Sequence, residues 1–121
     1  MEWEKASKEL GIALDALLTG FDCQKRPMFG SPVYFVNDNM FAGVKGGVVF
    51  LRLSESERKL IMEESDEVQP FEPKPDFFMK EYVELSESKL YDSDFINKWL
   101  KISYEYVLSL PSKVKKPRKN K

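Results

Sequence analysis

Residues 26–53 constrain the fold more than any other part of this chain. The stretch RPMFGSPVYFVNDNMFAGVKGGVVFLRL contains three short apolar runs separated by two turn signals. Residues 37–39 (Asn-Asp-Asn) tolerate left-handed backbone angles, and residues 46–47 (Gly-Gly) adopt them without steric cost. Runs of β-branched and aromatic residues joined by such short connections predict an antiparallel meander.

The meander predicts a sheet with large apolar groups on both faces, because side chains alternate along a strand. The last run divides into two sets, with Val49, Leu51 and Leu53 on one face and Val48, Phe50 and Arg52 on the other. On the preceding strand, the alternation puts Met40 on the same face as Ala42 and Val44. One face should pack under helices, and the other, which is too apolar to be plain solvent surface, should lie uncovered and free to meet another molecule. On that second face, Arg52 needs either water or a carboxylate partner.

Three helices are predicted around the meander. Residues 3–18 carry apolar side chains at helical spacing, residues 54–57 (Ser-Glu-Ser-Glu) form a capping box for a second helix, and residues 92–110 form a wide apolar stripe. Between the last two helices, the proline-rich residues 65–77 predict a long loop, and residues 78–85 predict an amphipathic strand. This order predicts an α+β two-layer sandwich, with an antiparallel sheet of about 4–6 strands.

Composition indicates one folded domain. The chain has 121 residues, which suits a single core, and we expect that domain to span residues 1–112. The last nine residues, KVKKPRKNK, hold six of the 19 Lys and Arg and no acid, which predicts a basic disordered tail. The N-terminus is acidic and does not resemble a signal peptide, and no apolar run reaches the ~18 residues that a membrane span needs. The chain also has a single cysteine. We therefore expect a cytoplasmic protein without membrane attachment.

Several motifs in the chain resemble the TfoX/Sxy N-terminal domain family. They are residues 26–30 (RPMFG), 37–42 (NDNMFA) and 50–53 (FLRL), extended by residues 70–73 (PFEP) and 79–83 (MKEYV). The resemblance covers roughly residues 8–112, so the chain is expected to be a stand-alone member of the family. It implies a small secretion-chaperone-like two-layer fold and no known catalytic residue. In family members that regulate natural competence, the domain works with the cyclic-AMP receptor protein and is followed by a second, helical domain.

The residue types argue against an enzyme. The chain has no histidine, which removes the commonest general base and, with one cysteine, the usual zinc ligands. We therefore predict no catalytic residue, no metal and no cofactor. Gly43 and residues 46–47 lack the spacing of a phosphate loop and are assigned to a hairpin. Cys23, beside Lys25 and Arg26, is either a thiol with a lowered pKa or, as is more usual, a quiet, partly buried one.

The leading hypothesis is a non-enzymatic regulatory or protein-interaction domain. It would bind a protein partner, or itself as a homodimer, through the second sheet face and the proline-rich loop. The residues expected to contact the partner are Phe50, Arg52, Phe71, Pro73 and Tyr82. Replacing Arg52 and Tyr82 together with alanine is expected to weaken association and to leave the fold intact.

Two alternatives remain open. The first is a nucleic-acid-associated accessory protein that uses the basic tail, although the other 112 residues carry 13 Lys and Arg against 20 Asp and Glu, a net charge of −7. The second is an enzyme or a small-ligand-binding protein with a site beneath the proline-rich loop, where Glu72 or Glu81 supplies the acid. The sequence names neither the partner nor the pathway.

Overall fold

Six antiparallel strands and four helices make up the part of the chain that the structure describes. The structure is a computed structural model, and it describes residues 8–28, 31–72 and 78–111. In chain order the elements are α1 (Lys8–Leu17), β1 (Gln24–Met28), β2 (Ser31–Val36), β3 (Asn39–Lys45), β4 (Val48–Arg52), α2 (Glu55–Glu64), β5 (Val68–Pro70), β6 (Tyr82–Ser86), α3 (Glu87–Leu90) and α4 (Ser93–Leu108). Within these ranges no helix combines the length and the apolar character that a membrane crossing requires.

The predicted meander is β1 to β4. The first turn uses Asn37 and Asp38 at φ of 54° and 63°, and the second uses Gly46 at φ of 57°, which are the left-handed angles that the residue types predict. β1 pairs with β2 along its whole length. β6 then pairs with β4, and β5 pairs with β6, so the strand order across the sheet is β1-β2-β3-β4-β6-β5.

A layer of helices covers one face of the sheet. The main core joins α1, α2 and α4 to strand residues that include Val49, Leu51 and Leu53, the set that the sequence assigns to the helix-covered face. The helix starts also follow the sequence, because Ser54 forms the predicted capping box with Glu57 and the Asp92 carboxylate accepts a hydrogen bond from the Phe95 amide at 3.3 Å. The α+β two-layer sandwich is therefore confirmed, with the short α3 as an addition.

β3 departs from simple alternation at Phe41. Tyr34 pairs with Ala42 whereas Phe35 pairs with Met40, so Phe41 is an extra residue that forms a β-bulge. Phe41 and Ala42 consequently both pack in the helix-covered core, and Met40 packs on the opposite side of the sheet. The prediction that Met40 shares a face with Ala42 and Val44 is wrong, because one inserted residue moves all residues beyond it to the other face.

Three sequence-based predictions fall on residues outside the described ranges. They concern the start of the first helix at Trp3, the basic tail at residues 113–121 and Pro73 in the proline-rich loop. The proposed domain limits of 1–112 accordingly stay a prediction.

Candidate interaction surface

The sheet face opposite the helix layer, called here the reverse face, carries a second hydrophobic cluster. The Phe50 ring lies at its centre, stacked on Phe71 with ring centroids 4.5 Å apart, and the Tyr82 ring meets it edge-on at 6.0 Å. Val33 and Met40 are also buried in this cluster. Four of the five residues that the sequence predicts as a partner site are described, and three of them, Phe50, Phe71 and Tyr82, are in direct contact.

Backbone hydrogen bonds hold Phe71 over the sheet. The Phe71 amide donates to the Tyr82 carbonyl at 3.1 Å, and the Met79 amide donates to the Phe71 carbonyl at 3.0 Å. The Tyr82 amide in turn donates to the Met79 carbonyl at 3.2 Å. The two ends of the β5–β6 connection, residues 71–72 and 78–79, are thereby tied to each other, and we call them the cap.

The prediction that the reverse face lies uncovered is wrong at its centre. Phe50 and Phe71 have no exposed surface, and Tyr82 is 8% exposed. The physical reason is that apolar surface in water costs about 25 cal/mol per Å², so the long connection supplies its own aromatic cover. These three side chains form an internal cluster, and replacing Arg52 and Tyr82 with alanine is no longer expected to leave the fold intact.

Arg52 sits at the border of this cluster in a polar network. Its Nε lies 2.8 Å from Glu81 Oε1, which also accepts a hydrogen bond from the Tyr106 hydroxyl at 3.4 Å. Glu81 adopts a φ of 74°, a costly backbone angle for a residue other than glycine, and its carbonyl accepts from the Leu53 amide at 2.9 Å. Arg52 thus has a carboxylate partner, which is one of the two alternatives that the sequence leaves open, and the network joins β4, α4 and the start of β6.

Tyr82 should make the fold sensitive to high pH. Burial raises the pKa of Tyr82 to about 12, even though the neighbouring Arg52 guanidinium lowers it. The unfolded chain releases this proton near pH 10, so the unfolded state binds fewer protons than the folded state between about pH 10 and about pH 12. Stability is fully present below about pH 10 and should fall above it, by on the order of 2 kcal/mol from this group.

Urea unfolding at about pH 8 and about pH 11 should show about half of the full loss, roughly 1 kcal/mol, because pH 11 lies midway between the two pKa values. The matched control is Tyr82→Phe, which keeps the ring and has no proton to release. It forfeits the hydrogen bond from the Tyr82 hydroxyl to the Met40 carbonyl (2.9 Å), so it should start about 1 kcal/mol less stable. It should then lose less stability on going to high pH, and an identical pH dependence in both proteins would contradict the assignment.

A partly exposed rim surrounds the sealed centre. Phe35, Val48 and Met79 pack against the cluster and stay half-buried, and Phe78, next to Met79 in the cap, is 56% exposed. Arg26 places its guanidinium 4.7 Å from the centre of the Phe35 ring, with 47% of its side chain exposed. We call these five residues the rim. The sequence-based prediction missed them as a set because Arg26, Phe35 and Val48 lie on three different strands and Phe78 and Met79 lie in the β5–β6 connection, so no local sequence pattern groups them.

The motifs that resemble a known family lie on this sheet and its cap. The family model of the TfoX N-terminal domain matches residues 16–107. The chain belongs to the TfoX N-terminal domain family. The matched residues include every strand and every buried member of the reverse-face cluster, so the cluster belongs to the family's domain. No curated protein matches the chain.

Both edges of the sheet in this TfoX N-terminal domain are unsuited to pairing with another strand. The edge strand β1 presents Lys25, Arg26 and Pro27, and a proline has no amide hydrogen to donate. The opposite edge strand, β5, is three residues long and ends at Pro70. Since charges, prolines and short length all discourage strand addition, contact with another molecule through this sheet should use a face.

The remaining chemical candidates are accounted for by structural roles. Burial raises the pKa of the half-buried Cys23 thiol, and the nearby Asp22 and Asp15 carboxylates raise it further, which supports the quiet-thiol alternative. Within residues 8–28, 31–72 and 78–111, no group of three or more Cys, Asp or Glu is placed to hold a metal ion.

The structure gives the small-ligand alternative little support at Glu72 and Glu81. Glu81 pairs with Arg52, and the Phe71 ring fills the space over Phe50 that a ligand beneath the loop would need. A groove of about 370 Å³ lies instead between α2 and α4, lined by Leu60, Glu63, Glu64, Lys98, Trp99 and Ile102.

Proposed function

We propose that this TfoX N-terminal domain is a non-enzymatic regulatory domain that binds a protein partner through the rim of its reverse face. The observation that carries the proposal is the rim itself. It combines Phe35, Val48 and Met79, which pack against the sealed centre, with Arg26 over the Phe35 ring and the exposed Phe78, which precedes Met79 in the cap. Aromatic residues, methionine and arginine are the types enriched where proteins meet.

The rest of the fold supports this choice of surface. The helix layer already covers the other face of the sheet, and both edges are blunted, so among the surfaces of the sheet itself the reverse face is the one left for contact. The stacked Phe50 and Phe71 rings give the rim a rigid base, so binding would not have to order the surface first. The proposed contact residues are therefore Arg26, Phe35, Val48, Phe78 and Met79, with the sequence-predicted Phe50, Phe71 and Tyr82 supporting them from beneath.

The carboxylates of this face also fit a binding role better than a catalytic one. Glu81 is held by Arg52, and Glu84 accepts hydrogen bonds from the Gln69 side chain at 2.9 Å and from the Glu72 amide at 3.2 Å. A general acid or base needs a carboxylate directed at a substrate, and these two are engaged with the fold's own donors.

Photo-crosslinking in the cells that naturally make the protein tests the proposal. A benzophenone side chain placed at Phe78 should capture a discrete protein product. The matched control is the same group at Leu60, which lies on the helix layer and is 57% exposed, nearly the same as the 56% of Phe78. We expect no discrete product from position 60. No product from position 78, or equal products from both positions, would refute the proposal, and mass spectrometry of the product identifies the partner.

A further inference from the structure

One row of side chains crosses the reverse face from edge to edge. The strand pairing aligns one residue from each of the six strands, in the order Arg26, Val33, Gly43, Phe50, Glu84 and Gln69. We call this set the central row. Its basic residue, Arg26, lies on β1 at one end, and its apolar members lie on β2 to β4. Its acidic residue, Glu84, lies on β6, next to Gln69 at the other end. One surface therefore carries both a cation and an anion that could pair with those of another copy.

Both charged members of the central row can accept a further partner. Arg26 reaches Asp38 at 2.8 Å and Gln24 at 2.7 Å through the same nitrogen, Nη2, while a guanidinium carries five N–H donors over three nitrogens. From the residues that the structure describes, Glu84 accepts one hydrogen bond on each oxygen, and a carboxylate has about four lone-pair sites. An additional Arg–carboxylate contact would leave the existing bonds in place.

We propose that the partner of this surface is a second copy of the chain, packed reverse face to reverse face about a two-fold axis parallel to the strands. This inference rests on the proposed function and names its partner. Such an axis inverts the strand order, so β1 of one copy lies over β5 of the other. Arg26 then faces Gln69 of the second copy, with Glu84 one strand away, about 4.8 Å to the side and within reach of an arginine side chain.

The charge pattern selects this axis over the alternative one. A two-fold axis perpendicular to the strands, along the central row, would bring Arg26 against Arg26 and Glu84 against Glu84. Like charges directly opposite each other destabilise a pairing, whereas the axis parallel to the strands gives two Arg26–Glu84 contacts. In such a dimer, Arg26 of each copy meets Glu84 of the other, so a second copy of the chain satisfies both contacts and no other molecule is needed.

The shape of the reverse face agrees with the same axis. The stacking of Phe71 on Phe50 raises the surface over β4 by one ring, while Phe35 on β2 stays partly exposed. Inverting the strand order sets the raised half of each copy beside β2 and β3 of the other. The exposed parts of the rim are thereby covered on both copies at once.

Sedimentation equilibrium of the full chain tests the proposal through charge reversal. Arg26→Glu alone and Glu84→Arg alone should each weaken the dimer by about tenfold or more, because each change occurs twice in a two-fold dimer. Mixing these two variants should restore association as a one-to-one heterodimer, since the carboxylate introduced at position 26 would then meet the guanidinium introduced at position 84 of the other copy. If association is restored only when the two variants are mixed, residues 26 and 84 must contact each other between subunits and not within one subunit. Lys101→Glu, an exposed charge reversal on α4, is the matched control and should leave the dimer unchanged.

Two results would overturn the dimer. One is a wild-type chain that remains monomeric up to about 200 µM, and the other is a mixture of the two variants that associates no better than either alone. Neither result touches the proposed interaction surface, which fails only by the crosslinking at Phe78. If Phe78 captures a different protein while the wild type is monomeric, the surface stands and the self-association is refuted.

Discussion

Replacing Phe71 with alanine should lower the free energy of unfolding by about 4 kcal/mol. Phe71 has no exposed surface, and its ring stacks on Phe50 at 4.5 Å, so its removal leaves a cavity and also exposes the Phe50 ring to water. The size of this loss in unfolding free energy shows how much the packing of the cap on the sheet contributes to the stability of the domain. Urea unfolding followed by circular dichroism gives the value directly.

Phe78→Ala is the matched control for this change. Phe78 is the same residue type in the same connection, but it is 56% exposed, so its removal should change the stability of the monomer by no more than about 0.5 kcal/mol. Both proteins should be compared at a concentration low enough to keep the chain monomeric. If Phe71→Ala cost as little as Phe78→Ala, the reverse-face cluster would not be part of the stable core.

Gly43→Ala should cost about 3 kcal/mol, which is unusual for the addition of a single methyl group. A Cβ at position 43 would lie 2.4 Å from Phe50 Cζ and 3.0 Å from both Phe50 Cε atoms. The Phe50 ring cannot move away freely, because Phe71 stacks on it and Tyr82 meets its edge. The new methyl group must therefore displace the whole aromatic cluster.

Two comparisons isolate the cause of that loss. Gly47→Ala adds the same methyl group where no atom lies within 4 Å, and it should change stability by no more than about 0.5 kcal/mol. In a Phe50→Leu background the ring atoms that meet the methyl group are gone, so Gly43→Ala should cost less there by about 1 kcal/mol or more. Additive costs in the double variant would show that the contact with Phe50 is not the reason.

Local signals account for the parts of the fold that the sequence predicted well. The turn at residues 37–39, the capping box at Ser54 and the alternation of Val49, Leu51 and Leu53 each depend on a few neighbouring residues. The bulge at Phe41 has no such signal. It places both Phe41 and Ala42 in the helix-covered core, and that preference exists only once α4 packs against the sheet.

The sequence brought together three members of the reverse-face cluster but did not predict their burial, and it did not predict the rim. Apolar residues on both sheet faces singled out Phe50, Phe71 and Tyr82, and these do meet. Whether the β5–β6 connection folds back over the sheet depends on contacts across the sheet, which a local pattern does not contain. At Gly43 the sequence did contain a usable signal. The sequence analysis assigned Gly43 to a hairpin, but a lone glycine inside a strand often marks a place where another group approaches the backbone closely. In the structure Gly43 lies in β3, and the Phe50 ring is the group that approaches it.

The blunted strands at the two borders of the sheet bear on how this protein behaves when it is concentrated. Fibrils grow when an unpaired strand offers its backbone to the next chain, and neither β1 nor β5 presents a long, proline-free stretch for that purpose. We therefore expect strand addition at the sheet edges not to compete when the protein is concentrated. The two-fold dimer can then be titrated over its full concentration range.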